Sequence, residues 1–199
     1  DAKPHVRAAA SRALLRFPQM DEETGDFDAC EVVNALVTTL NTDKSKEVRK
    51  AVLSVLPMCG FTLPYVMART RDESDEVRRV GLLLLAEKTT METCSCLGVS
   101  GHEMSELLSK ALRDRVPAVV DAGQELVTSW FDSCGGEPLT LLKALGVEGS
   151  EQTSASELAL NALFASERLN AVHVAVMASN EQLGLRTDFR CGQPNLMTP

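Results

Sequence analysis

Residues 43–56 read DKSKEVRKAVLSVL, and residues 72–85 read DESDEVRRVGLLLL. Both open on Asp, place Val-Arg five residues later and run on as an apolar stretch. Two further versions flank them: DAKPHVRAAASRALL at residues 1–15 and DRVPAVVDAGQELV at residues 114–127. Aligned on Val6, Val48, Val77 and Val119, the four phrases stand 42, 29 and 42 residues apart. After each Val, small or apolar residues return at +3, +4, +7 and +8. Those positions hold Ala9, Ala10, Ala13 and Leu14, then Ala51, Val52, Val55 and Leu56. Val80, Gly81, Leu84 and Leu85 follow in the third phrase, and Ala122, Gly123, Leu126 and Val127 in the fourth. This is the stripe of a helix buried along one face.

Each phrase also marks where its helix starts. Ser45 and Ser74 stand at the N-cap position, and Pro4 and Pro117 stand one place later, where a missing N–H costs nothing. Glu47 and Glu76 put negative charge in the first turn, on the positive end of the helix dipole.

A second amphipathic segment precedes each later phrase. Residues 28–41 carry Val32, Val33, Leu36, Val37 and Leu40, and residues 102–113 carry Met104, Leu107, Leu108, Ala111 and Leu112. The segment at 62–70 is shorter, with Leu63, Val66 and Met67, which accounts for the 29-residue interval. The unit is helix, short turn, helix. Two helices cannot bury these faces alone, so neighbouring units must stack. The expected fold is an all-α solenoid of antiparallel helix pairs.

The domain reading has residues 1–166 as an array of four to five units, the first one truncated. Beyond Trp130 the pattern loosens, and EPLTLLKALGVE with SASELALNALFASE forms a divergent fifth pair. Residues 167–183 read as a further divergent helix and 184–199 as an irregular end. Residues 21–31 form an acidic loop.

The composition agrees: 44% apolar residues, 24% charged and 4% aromatic suit a helical protein built on Leu, Val and Ala. A net charge of −8 gives the whole chain no bulk attraction for nucleic acid, so any such binding comes from a local patch. Six scattered cysteines, with Cys94 and Cys96 the one close pair, read as reduced thiols in an intracellular protein. Neither they nor His5, His102 and His173 show metal-ligand spacing, and no metal or other cofactor is expected. No apolar run approaches the roughly 20 residues needed to cross a membrane. There is no phosphate loop and no Ser-His-Asp order, and nothing orients Glu87 with Lys88 or Cys96 with His102 as a catalytic pair. An enzyme or a small-molecule substrate is not expected.

DAKPHVR, read as Asp-x-x-Pro-x-Val-Arg, resembles the signature of HEAT repeats, whose unit length brackets the 42-residue interval. The resemblance implies a ladder in which Asp and Arg of successive units pair. Asp1 and Arg7, Asp43 and Arg49, and Asp72 and Arg78 all keep an offset of six. The fourth unit has Val120 in the Arg position, which leaves its rung open.

The wording is more specific between residues 62 and 91, TLPYVMARTRDESDEVRRVGLLLLAEKTTM, with ALRDRVPAV and ALNALFAS following in order. Over about residues 1–166 the chain resembles the condensin non-SMC subunits of G type (CAP-G type). That resemblance implies a non-enzymatic curved solenoid. It would bind the CAP-H type kleisin subunit and, through it, the SMC ATPase subunits. With kleisin it would grip duplex DNA, on chromosomes in the nucleus.

Local positive charge offers the surface for that grip. Lys44, Lys46 and Lys50 lie in and after the turn of the second unit, and Arg113 and Arg115 in that of the fourth. Arg79, with Arg69 and Arg71, belongs to the third. Stacked units would align these turns along one edge, where Lys and Arg suit a phosphate backbone and ignore base sequence. The competing expectation is a protein-binding HEAT scaffold or adaptor without DNA contact, favoured by the net charge and the acidic loop.

Overall fold

The structure, a computed structural model, describes residues 3–14, 31–146 and 153–170. Among them are ten helices and no strand: α1 (Pro4–Ala13), α2 (Glu31–Thr42), α3 (Lys46–Leu53), α4 (Leu63–Arg69), α5 (Asp75–Lys88), α6 (Met91–Cys96), α7 (Gly101–Leu112), α8 (Pro117–Ser133), α9 (Pro138–Ala144) and α10 (Thr153–Ala165). Asp1, most of the acidic loop, and the segments 171–183 and 184–199 lie outside the described residues.

The four helices opened by the repeated phrase form one continuous row. α1 packs on α3, α3 on α5, and α5 most extensively on α8. Each later member also packs on its own partner, α2 with α3, α4 with α5 and α7 with α8. The aligned valines lie at the centre of this arrangement. Val48, Val77 and Val119 are buried, as are Ala51, Val52, Leu85, Ala122, Leu126 and Val127 behind them. The fold is therefore the stacked α-solenoid that the stripe dictates: a face 3.6 residues in period, present on every unit, is covered by the next unit.

The first unit departs from its own stripe. Val6 is 48% exposed and Ala9, Ala10 and Ala13 are exposed; α1 buries Ala8 and Ser11 instead. Helix α1 meets the row on its α3 side.

The turns are built differently from the serine caps expected. Ser45 and Ser74 occupy the N-cap positions, yet neither side chain makes a cap hydrogen bond. Asp two residues earlier supplies the acceptor instead. Asp43 Oδ1 takes the Ser45 N–H at 2.8 Å, Asp72 Oδ1 the Ser74 N–H at 2.9 Å, and Asp114 Oδ1 the Val116 N–H at 3.0 Å. A short side chain that bonds the backbone two residues on folds the turn locally. This gives the opening Asp of the phrase a first function.

Two elements modify the repeat. The connection from α5 to α7 holds an extra short helix, α6, closed by a reciprocal capping box between Thr90 and Thr93. Its insertion, together with the longer α7, restores the 42-residue interval. Helix α7 starts earlier than the sequence suggests, capped by Ser100 and Glu103. Gly101 is required there, because a Cβ would meet Ala144 O at 2.6 Å. The fifth pair is not a regular unit: α10 packs on both α7 and α8, whereas α9 touches α8 more lightly. Trp130, fully buried, donates from Nε1 to Thr89 Oγ1 at 3.2 Å and pins α8 to the end of α5.

Candidate nucleic-acid interface

Three arginines define the edge along which the turns follow one another. Arg7 Nε donates to Asp43 Oδ2 at 2.6 Å and its Nη2 to Oδ1 at 2.9 Å. Arg49 does the same to Asp72 at 2.9 and 2.7 Å, and Arg78 to Asp114 at 2.8 and 3.0 Å. Each arginine reaches forward, to the Asp of the following unit. Arg49 and Arg78 also donate from Nη1 to the backbone carbonyl of their own unit's Asp, Asp43 and Asp72, at 3.0 Å each. The six-residue offset places a guanidinium one turn into the second helix, where it spans the two turns. The rung at Asp114 therefore forms, and Val120 means that the fourth unit sends none onward. Asp1, the remaining ladder residue, lies outside the described residues.

Burial sorts the rungs. The Arg49–Asp72 side chains are 5% and 2% exposed, whereas Arg7 is 36% exposed. The guanidinium of Arg7 holds the Asp43 carboxyl below its ordinary range, and the Asp72 carboxylate strengthens the hold of Arg49 on its proton. Burial pushes the Asp114 carboxyl up, but bonds from Arg78 and the Val116 N–H outweigh it and the net shift is down. These charges are consumed within the fold.

The remaining cations divide into two groups. Arg69 is drawn into the second rung: its Nη1 lies 3.4 Å from Asp72 Oδ2 and 3.5 Å from the Leu40 carbonyl. Arg71 pairs with Glu106 of α7 at 3.0 Å, and Glu106 also accepts from Lys110 at 2.6 Å. Lys46 and Lys50, on successive turns of α3, both donate to Glu76 of α5, each at 2.5 Å. Lys50 has Glu47 at 3.2 Å besides. The two ammonium groups draw the Glu76 carboxyl down to about 2.

Lys44 and Arg79 are exposed and have no ion-pair partner among the described residues. Arg113 and Arg115 are also exposed, on the turn before α8, with Arg115 beside Asp114 and contributing to its lowered pKa. A shallow groove of about 390 Å³ runs between the turns of the second and third units, with Lys44, Arg69 and Arg71 on its walls and Asp43, Asp72 and Glu73 among them. What the sequence could not show is which acid meets which base. Glu76 and Glu106 come from other units, and the pairing is set by stacking.

Among the described residues no three His, Cys, Asp or Glu side chains converge as a metal site, and Cys94 is buried while Cys96 faces solvent. Burial pushes the Cys94 thiol up, away from the thiolate form a reactive cysteine needs. Glu87 and Lys88 form an exposed pair at 2.7 Å. No described helix is long and apolar enough to cross a membrane.

No family model matches the chain. Condensin complex subunit 3 of Homo sapiens is 38% identical over 165 residues, and that of Xenopus laevis is 36% identical over 165. Its homologues are condensin complex subunits 3. Each alignment covers 82% of this chain, which spans 15% of the length of those curated relatives. The crystal structure of the S. pombe condensin Cnd3-Cnd2 subcomplex superimposes with a TM-score of 0.69 at 26% identity, covering 90% of this chain and 23% of that one. The same path of stacked helix pairs is thus found in a condensin subunit solved together with Cnd2.

Proposed function

We propose that this chain is a stretch of the HEAT array of a G-type condensin subunit, without catalytic activity, which binds kleisin and holds duplex DNA by its backbone during chromosome condensation. The kleisin part is supported by the similarity to Cnd3, solved as a subcomplex with Cnd2. Through kleisin the chain would join the SMC ATPases, which supply the ATP hydrolysis, and it would act on chromosomes in the nucleus.

One observation carries the DNA part. The ladder removes Arg7, Arg49 and Arg78 from the surface charge, yet Lys44, Arg79, Arg113 and Arg115 remain exposed at or just after successive turns. Cations spaced along one edge meet phosphates regardless of base sequence, with an affinity that falls steeply with salt. Arg69 and Arg71 contribute less in this reading, since both are held by acids. The net charge of −8 favours the alternative, an adaptor that binds protein alone.

A mobility-shift series on short duplex DNA, at several salt concentrations and with or without a kleisin peptide, separates the two. Salt-sensitive, sequence-indifferent retardation supports the grip. Capture of the peptide with no retardation at low salt supports the adaptor.

A further inference from the structure

Glu76 stands between two lysines that the ladder does not need. It comes from the first turn of α5, in the third unit, and reaches back to Lys46 and Lys50 on α3, in the second. Its Oε1 accepts from Lys46 and its Oε2 from Lys50, so the two ammonium groups are bridged by one carboxylate. Glu76 is 45% exposed, Lys46 49% and Lys50 24%, which leaves the arrangement open to solvent. The two units are also joined by the buried Arg49–Asp72 rung and by the buried Val48, Val52 and Val77, so the exposed bridge is not their sole tie.

Two lysines converging on two oxygens of a single anionic group is also the geometry in which a protein holds a phosphodiester, which has one negative charge and two unbridged oxygens. Against Glu76 alone the two lysines keep a surplus of one positive charge, which Glu47 beside Lys50 offsets. Arg79 lies one turn along α5 from Glu76, and Lys44 lies just before α3, so the bridge is flanked by cations with no ion-pair partner among the described residues.

We propose that Lys46 and Lys50 form an anion-binding station for a DNA phosphate, occupied in the unbound protein by Glu76 as an internal stand-in that the phosphate displaces. The proposal rests on the duplex-binding reading above and adds a site and its regulation to it. Glu76 lowers affinity for any polyanion by competing with it. It also blunts the salt response: with its negative charge beside the lysines, the site neutralises less phosphate charge, and fewer of the cations condensed on the DNA are released. Non-specific contacts are kept weak and reversible by this competition.

The test uses the 199-residue chain and its E76Q variant, which keeps the shape of the side chain and removes its charge. Duplex affinity is measured by fluorescence anisotropy over a salt series, and accessibility of Lys46 and Lys50 by their rates of acylation with an amine-reactive ester, read by mass spectrometry. E76Q is expected to bind duplex about threefold to tenfold more tightly at low salt, with log K falling more steeply against log salt by about 1 to 2 units. K46Q/K50Q in the E76Q background is expected to abolish the gain. Acylation of Lys46 is expected to accelerate most in E76Q, since it loses its carboxylate, and that of Lys50 less, since Glu47 still lies 3.2 Å from it.

Equal affinity and equal salt slope in the two proteins, with the wild type binding duplex, overturn the station while leaving the duplex reading intact. No retention of duplex by either protein at low salt overturns that reading and the phosphate assignment together. Unchanged acylation rates overturn the masking of the lysines whatever the DNA does.

Discussion

Arg49 and Asp72 meet through two hydrogen bonds, 2.9 and 2.7 Å long, with both side chains almost wholly out of water. They stand 23 residues apart, in consecutive units. A buried pair of this kind is costly to break from one side, because the survivor stays charged in a dry place. Arg49→Met should therefore destabilise the chain by about 3 to 5 kcal/mol, while Arg49→Met with Asp72→Leu should recover much of that loss. Urea unfolding followed by Trp130 fluorescence measures both. Asp72 also folds its own turn through Ser74 N–H, so recovery will be incomplete. A double variant no more stable than the single one would contradict the account.

Acid should loosen the ladder. The Asp43 and Asp114 carboxyls are held below their ordinary range in the folded chain, so the folded state binds fewer protons than the unfolded one near pH 4. Their contribution is full above the ordinary carboxylate pKa and is lost as pH falls through the lowered values. The melting temperature should be flat from pH 7 to about pH 5 and decline below it. Asp43→Asn with Asp114→Asn should make that decline shallower, measured by differential scanning calorimetry.

Gly101 opens α7 against the end of α9. Alanine ordinarily favours a helix over glycine by up to about 1 kcal/mol. Here the added carbon would lie 2.6 Å from the backbone oxygen of Ala144, which cannot rotate away as a side chain would. The clash should win, and Gly101→Ala should cost about 1 to 3 kcal/mol. Gly60→Ala, whose new carbon meets Leu97 at an ordinary 3.8 Å, is the control and should be close to neutral in a thermal melt.

Lys44→Glu with Arg79→Glu should weaken duplex binding and leave the melting temperature within a degree or two, since neither side chain has an ion-pair partner among the described residues. Reversing Lys46 and Lys50 as well would mix two effects, because both also tie α3 to Glu76 of α5. A loss that is largest at low salt, with log K falling less steeply against log salt, and that is alike for unrelated duplex sequences, is the expected pattern for phosphate contacts. Undiminished binding at low salt would remove these two residues from the interface.

The homology to condensin complex subunit 3 was legible in a few phrases, chief among them the stretch around Thr62 to Met91. So were the helices of the row, since Val48, Val77 and Val119 carry their burial pattern in a local period. Helix α6 was missed, although Thr90 and Thr93 carry the spacing of a capping box; six residues are too few to show a period. The ladder could be expected from the resemblance, but its forward direction could not. The fourth rung is an instance: the sequence lacks an Arg at position 120, yet Asp114 is paired, because its partner lies 36 residues upstream.

Taken alone, the sequence determined that this chain is a row of stacked helix pairs and where α3, α5 and α8 begin, because periodicity, prolines and the turn-forming Asp act over a handful of residues. Only the tertiary structure decided which charges remain for a partner. Glu76 lies 30 residues from Lys46 and 26 from Lys50, and Asp72 lies 23 from Arg49. Charges that far apart in the chain neutralise one another only once stacking brings their units within reach, and no local pattern records that distance.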